Sequence, residues 1–256
     1  MDGEAERPAT AQCLSIIVPY RDRAAQLARF LPHITLYFKR DKIDKDRPYR
    51  VTLVEQEAGR PFNIGALRNA GFLLTEPECE QICFHDVDYL PIWADYRPVE
   101  RPTRLLWYGA ERVKIEGSAN LVVEHDPKKY FGGVVMFPTA LFRRVNGFAN
   151  GYWGWGYEDT DMRIRCRAEG IALGYRDGTF DSLHHPSNGF NTDGKPSQAN
   201  LANRRLCQIN AKAIRDRKAH RGEGLNSLRF DVLDRGPLLD PEGTPYPHAE
   251  RVLVRL

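Results

Sequence analysis

The sequence predicts an α/β fold in one domain, built on a mainly parallel central sheet. Two observations carry this. Up to residue 85 the chain reads strand, helix, strand, helix, strand, the order that lays parallel strands side by side with helices on their faces. The helical segments hold apolar residues at 3.6-residue spacing, whereas the strands are short β-branched runs of the kind buried on both faces.

Taken in order, Cys13-Leu-Ser-Ile-Ile-Val18 reads as a buried first strand ended by Pro19. Leu27, Phe30, Leu31 and Ile34 recur at helical spacing, and Tyr49 to Glu55 alternates as a second strand. Asn63 to Leu74 carries Ile64, Leu67, Ala70, Gly71 and Leu74 on one helical stripe; Gln81-Ile-Cys-Phe84 is a third strand running into His85-Asp-Val-Asp88. Binding sites in such sheets form outside the carboxyl ends of the strands, so this order places Arg21, Arg23, Asp86 and Asp88 on one rim. Further on, Tyr130 to Phe137 reads as a strand opened by Gly132-Gly133, Glu158 to Glu169 as a helix, and Gly170 to Phe180 as a hairpin or edge strand. Residues 187–203, rich in Asn, Ser, Gly and Pro, read as a long mobile loop, and Asn203 to Ala219 as a basic helix.

Composition narrows the function classes. Of 256 residues, 42% are hydrophobic and 28% charged, as in ordinary globular chains. A net charge of +3 is too small to argue for nucleic acid; it suits an anionic ligand or peripheral contact with an anionic membrane face. The longest apolar stretches, Leu14 to Val18 and Val134 to Phe137, fall far short of the roughly 20 residues of a spanning helix. The polar residues 1–12 read as a flexible leader without signal-peptide character. Cys13, Cys79, Cys83, Cys166 and Cys207 lack zinc spacing and read as free thiols in a reducing, cytoplasmic setting. The phosphate-binding GxxxxGK[ST], the dinucleotide GxGxxG after the first strand and the hydrolase GxSxG are all absent.

Four features point to chemistry. Asp86-Val-Asp88 at a strand end would turn both carboxylates to one side and Val87 to the core, a hard-oxygen seat for Mn²⁺ or Mg²⁺ bridging a diphosphate; its bland alternative is a solvated acidic turn. Gly154-Trp-Gly-Tyr-Glu-Asp-Thr-Asp161 sets aromatic plates beside acids, as sugar sites do, while three acids at a helix start also simply suit the macrodipole. His184-His185 reads as a loop pair or as metal ligands, and Arg21 and Arg23 as a phosphate grip or as exposed charges beside Asp22.

In their order, these segments resemble the β-1,4-galactosyltransferases, inverting nucleotide-sugar transferases with a GT-A (Rossmann-like) fold. The resemblance rests on Ile17-Val-Pro-Tyr-Arg-Asp-Arg23, Phe62-Asn-Ile-Gly-Ala-Leu-Arg-Asn-Ala-Gly-Phe72, His85-Asp-Val-Asp-Tyr-Leu-Pro91, Tyr130-Phe-Gly-Gly133, Asn146-Gly-Phe148, Tyr152-Trp-Gly-Trp-Gly-Tyr-Glu-Asp159 and Gly224-Leu-Asn-Ser-Leu228. The HDVD form and Thr179-Phe-Asp-Ser-Leu-His-His-Pro186 are most similar to the xylosylprotein branch.

The resemblance implies one transferase domain over 13–256, with residues 13–92 as the nucleotide-binding half and 93–256 as the acceptor and catalytic half. It implies Asp159 as catalytic base with Glu158 beside it. Donor binding falls to Pro19, Arg21, Arg23, Asp86, Tyr130, Gly133 and Trp155. Acceptor binding falls to Trp155, Tyr157, Glu158 and Asp159. Mn²⁺ (or Mg²⁺) falls to Asp88, His184 and His185. Where the branch supplies His-x-His, this chain has Ser182 and His184, which leaves a further ligand open among His185, Asp181, Ser182 and water. The implied reaction moves galactose from UDP-galactose to a sugar hydroxyl, on a xylose- or N-acetylglucosamine-type saccharide or a glycolipid, in β-1,4 linkage. Lacking a Golgi anchor, the sequence reads as a soluble bacterial relative. Two alternatives stand beside this one: a UDP-N-acetylgalactosamine or other UDP-hexose transferase resembling chondroitin polymerases, and a catalytically dead glycan-binding module.

Overall fold

The computed structural model describes residues 13–40, 48–75, 79–105, 131–183, 191 and 195–256. Strand β1 (Leu14–Tyr20) pairs in parallel with β2 (Tyr49–Gln56) on one side and β3 (Gln81–His85) on the other. Beyond β3 lies β6 (Val134–Pro138), antiparallel to it, and then the short β5 (Thr103–Arg104) and β7 (Gly174–Tyr175). Beyond β2 lies β10 (Pro245–Arg255), parallel to it, and at the edge β9 (Asp231–Leu239). The sheet order is therefore β7-β5-β6-β3-β1-β2-β10-β9, parallel at its centre. A second, two-stranded sheet joins β4 (Tyr89–Ala94) to β8 (Gly178–Ser182).

The side-chain period of a strand divides the core in two. Leu14, Ile16 and Val18 of β1 pack with Phe30, Leu31, Ile34 and Phe38 of α1 (Ala24–Arg40). Ile17 and Val54 point to the other face, against Ala66, Leu67, Ala70 and Phe72 of α2 (Ile64–Thr75), Phe142 of α3 (Thr139–Arg144), and Met162 and Cys166 of α4 (Glu158–Ala168). Gly71 lets α2 lie almost on the sheet: a Cβ there would sit 2.4 Å from Ile17 Cγ2 and 2.9 Å from Val54 Cγ2. Asn63 starts α2, its Oδ1 accepting from Ala66 N at 2.9 Å. Helix α5 (Gln198–Arg217) packs along α4 and leads into a 3₁₀ turn at Ala219–Gly222.

Several expectations need correction. Strand β1 runs through Pro19 to Tyr20 because β3 pairs with it only as far as Ile17, so the missing proline N–H faces no partner on that side. The stretch read as loop up to Asn203 is already helical from Gln198, started by Ser197, whose hydroxyl accepts from Asn200 N at 3.2 Å. Of the two readings of Gly170 to Phe180, the hairpin is replaced by two short strands in different sheets, and β7 is indeed an edge strand of the large sheet. Cys13 and Cys79 are joined as a disulfide across the starts of neighbouring strands, leaving Cys83, Cys166 and Cys207 as thiols; the cysteine argument for a reducing compartment is thereby lost. No helix among the described residues is long and apolar enough to cross a membrane.

Candidate active site

Parallel pairing puts the carboxyl ends of β1 and β3 on the same edge, and the antiparallel β6 brings Gly133 back to it. Asp86 N donates to Gly133 O at 2.9 Å, and Tyr89 N donates to Asp86 O at 3.3 Å. Asp86 and Asp88 thus sit in a turn after β3 rather than along the strand, which corrects the period-two argument, while Val87 does turn into the core. Of the residues expected at this site, Pro19 is buried near the end of β1. Arg21 donates to Arg60 O at 2.6 Å and lies over the Phe62 ring; Arg23 donates to Asp22 O at 3.1 Å.

The rim meets α4 through one residue the sequence reading passed over. Arg68 projects from α2 with its side chain 3% exposed, donating from Nη2 to Asp86 Oδ1 at 2.9 Å and from Nη1 to Asp159 Oδ1 at 3.0 Å. Glu158 Oε1 lies 3.8 Å from the same Nη1, and the guanidinium carbon sits 5.1 Å from the centre of the Phe148 ring. Its signal in the sequence was a charge within the apolar stripe of α2, one turn from both Ile64 and Gly71. A buried arginine persists only where acids compensate its desolvation.

The electrostatics are lopsided. Burial pushes the carboxyls of Asp86, Glu158 and Asp159 above their ordinary range, and Arg68 opposes it at each. At Glu158 the charge of Asp159 adds to the upward shift, and Arg68 stands farther away, so the neighbouring acids are pushed apart. Asp86, Glu158 and Asp159 share Arg68 as a cation that reaches all three, and the charge of Asp88 bears on Asp86. Such an excess of hard oxygen and negative charge suits a divalent cation.

Among the described residues no three His, Cys, Asp or Glu converge closely enough to hold a metal by themselves. Leu183 N donates to Asp88 O at 2.7 Å, so the residue that follows β8 is held against the Asp88 turn. His184 and His185 lie outside the described residues, as does Tyr130. Of the other candidates, Asp181 accepts from Arg29 at 3.4 Å and Ser182 pairs with Tyr89.

The aromatic loop before α4 is held from α5. Asn203 Nδ2 donates to the carbonyls of Trp153 and Trp155 at 3.1 and 3.3 Å. Gly154 has φ +84°, and a Cβ on it would meet Ala199 Cβ at 2.7 Å. Trp153 lies under Arg60, whose guanidinium is 3.9 Å from its ring, and Trp155 is exposed. Tyr157 precedes α4 with a left-handed φ of 76° and packs toward Tyr152 and Cys207.

Residues 4–97 match the N-terminal region of glycosyl transferase group 7, and residues 117–186 match the N-terminal domain of galactosyltransferase. The two matches cover both the Asp86 turn and the Glu158-Asp159 pair. The chain belongs to the β-1,4-galactosyltransferase family. Within that family it is 30% identical over 236 residues to β-1,4-galactosyltransferase 7 of Homo sapiens and 27% identical over 229 residues to that of Drosophila melanogaster. Those matches take in 88% of this chain, which spans 63% and 65% of the two relatives. The xylosylprotein 4-β-galactosyltransferase of Caenorhabditis elegans is 27% identical over 240 residues. The fold is that of the catalytic domain of the Drosophila β-1,4-galactosyltransferase 7 solved with xylobiose, with a TM-score of 0.69 at 24% identity over 96% of this chain and 94% of that one. A mutant of that enzyme solved with manganese, UDP-Gal and xylobiose superposes equally well, at 23% identity.

Proposed function

We propose that this chain transfers galactose from UDP-galactose to a sugar hydroxyl with inversion, giving a β-1,4 linkage on a xylose- or N-acetylglucosamine-type acceptor. The observation that carries it is the Arg68 bridge, which joins the acidic turn after β3 to the acids that open α4 in one cleft. Family membership and the manganese, UDP-Gal and xylobiose held by the related structure support the donor, metal and acceptor classes.

In this reading Asp88 holds the cation together with a histidine at 184 or 185, and Asp86 faces the donor ribose or the metal's outer sphere. The bound cation supplies charge neutralisation for the departing diphosphate. The chain's own residues do the rest. Burial raises the Asp159 carboxyl above its ordinary range, which strengthens it as a base, and Arg68 at 3.0 Å opposes that shift. Asp159 takes the acceptor hydroxyl proton as the oxygen attacks opposite the UDP. Glu158, held protonated by burial and by its neighbour's charge, donates a hydrogen bond to the acceptor sugar. Trp155 offers an exposed plate for the sugar's apolar face. The test is UDP release from UDP-galactose with Mn²⁺ against a panel of xylosides and glucosaminides, with the product's anomeric coupling read by NMR. The expected product is β-linked; an α-linked product or no acceptor-dependent release overturns the proposal.

A further inference from the structure

The guanidinium of Arg68 does more than neutralise acids: its two amino groups are spent on one oxygen each of two different carboxylates. We propose that Arg68 is a positioning residue that commits Asp159 Oδ1 and Asp86 Oδ1, leaving Asp159 Oδ2 to take the acceptor proton and Asp86 Oδ2 to face the donor side. This rests on the transferase reading and deepens it by naming which oxygen reacts.

Three observations support a built device. The fork is bidentate across two acids rather than on one, at 2.9 and 3.0 Å, which fixes the separation of the donor-side and acceptor-side carboxylates. The guanidinium rests against Phe148, and the backbone of Phe148 is pinned by Asn69, the next residue on α2: Asn69 Nδ2 donates to Phe148 O and Phe148 N donates to Asn69 Oδ1, both at 2.8 Å. Finally, Arg68 Nε is buried without an acceptor among the described residues. A purely structural arginine would be expected to use that donor, whereas here it is given up so that both amino groups reach the cleft.

The acids are 21% and 17% exposed, so a small cation can enter where the side chain is removed. The experiment compares wild type, Arg68→Ala and Arg68→Lys in UDP-galactose turnover with Mn²⁺, with and without millimolar guanidinium and with urea as the neutral control. The expected result is a kcat at least about 100-fold lower in Arg68→Ala with KM for UDP-galactose within threefold. Guanidinium should restore it at least tenfold and urea should not; Arg68→Lys, whose ammonium lacks the fork, should remain at least tenfold below wild type. A folded Arg68→Ala within threefold of wild-type kcat overturns the role. So does a loss that guanidinium leaves unchanged while the thermal midpoint falls, and so does a fully active Arg68→Lys if the alanine variant fails to fold. No turnover by the wild type refutes the transferase reading and this role with it; an active wild type beside an equally active variant refutes this role alone.

Discussion

Helix α4 carries two buried ionic clusters, and they are built on opposite principles. Glu158 and Asp159, in its first turn, share with Asp86 the guanidinium of Arg68, whose Nε has no acceptor among the described residues. Two residues after Asp159, Asp161 faces α5. Its Oδ1 accepts from Arg165 Nε at 2.6 Å; its Oδ2 accepts from Tyr152 Oη at 2.9 Å and Asn210 Nδ2 at 3.1 Å. The other amino groups of Arg165 reach Gly147 O, Glu223 O and Glu223 Oε2 at 3.1, 2.8 and 2.7 Å. The second cluster has its buried charges met by protein partners, and so belongs to the fold. The first sets three acids against Arg68, with the charge of Arg104 reaching Asp159, and a surplus of acids persists where a ligand completes it.

That contrast can be broken from either side. The largest effect should come from Asp159→Asn, which removes the base and should lower turnover by about 10²–10⁴-fold. Its thermal midpoint should stay at or above wild type, because one of three crowded acids has been neutralised; UDP release and thermal melts on the same preparation check this. Asp161→Ala should do the reverse. It leaves Glu223 as the acid that Arg165 still pairs with and should cost about 3–5 kcal/mol by urea denaturation, while the folded enzyme keeps its KM for UDP-galactose. Tyr152→Phe takes one hydrogen bond from the same closed cluster and should cost about 1 kcal/mol in the same assay.

The smallest effect is in pH dependence, where the acids at the two ends of α4 should have opposite signs. Glu158 is raised from 4.5 chiefly by burial, so the metal-free protein has its full contribution below that value and loses it as pH rises through the folded value. Glu169, at the far end of α4, is held down to about 2 chiefly by hydrogen bonding from Arg221, with His220 adding to it; its contribution is present above 4.5 and lost as pH falls toward 2. Glu158→Gln should therefore flatten the alkaline side of a stability profile, and Glu169→Gln the acidic side. Denaturation midpoints across pH 3–9 without metal check both, and equal slopes in wild type and variants would remove the distinction.

Much of the scaffold was legible because burial imposes period. Both faces of β1 are covered, so it reads as a continuous apolar run, and α1 shows a one-sided stripe. Strands β9 and β10 carried no such signal: β9 is largely exposed, and β10 finds its parallel partner β2 about 200 residues earlier in the chain. The Cys13–Cys79 disulfide was equally silent, since a separation of 66 residues says nothing of proximity. In the site, both acid pairs were found from their residue types, yet Asp86 and Asp88 are aimed by a turn rather than by strand geometry. Arg68 was hidden because α2 is buried nearly all round, so one charge among Leu67, Ala70 and Gly71 looked like part of the core.

The most direct test of the account is anomalous diffraction at the manganese edge from crystals soaked with Mn²⁺ and UDP. One manganese peak is expected against the Asp88 carboxylate and the nucleotide's diphosphate, in the cleft that Asp159 borders. A nucleotide bound with its manganese elsewhere, or seated away from Asp88 and Asp159, would contradict it.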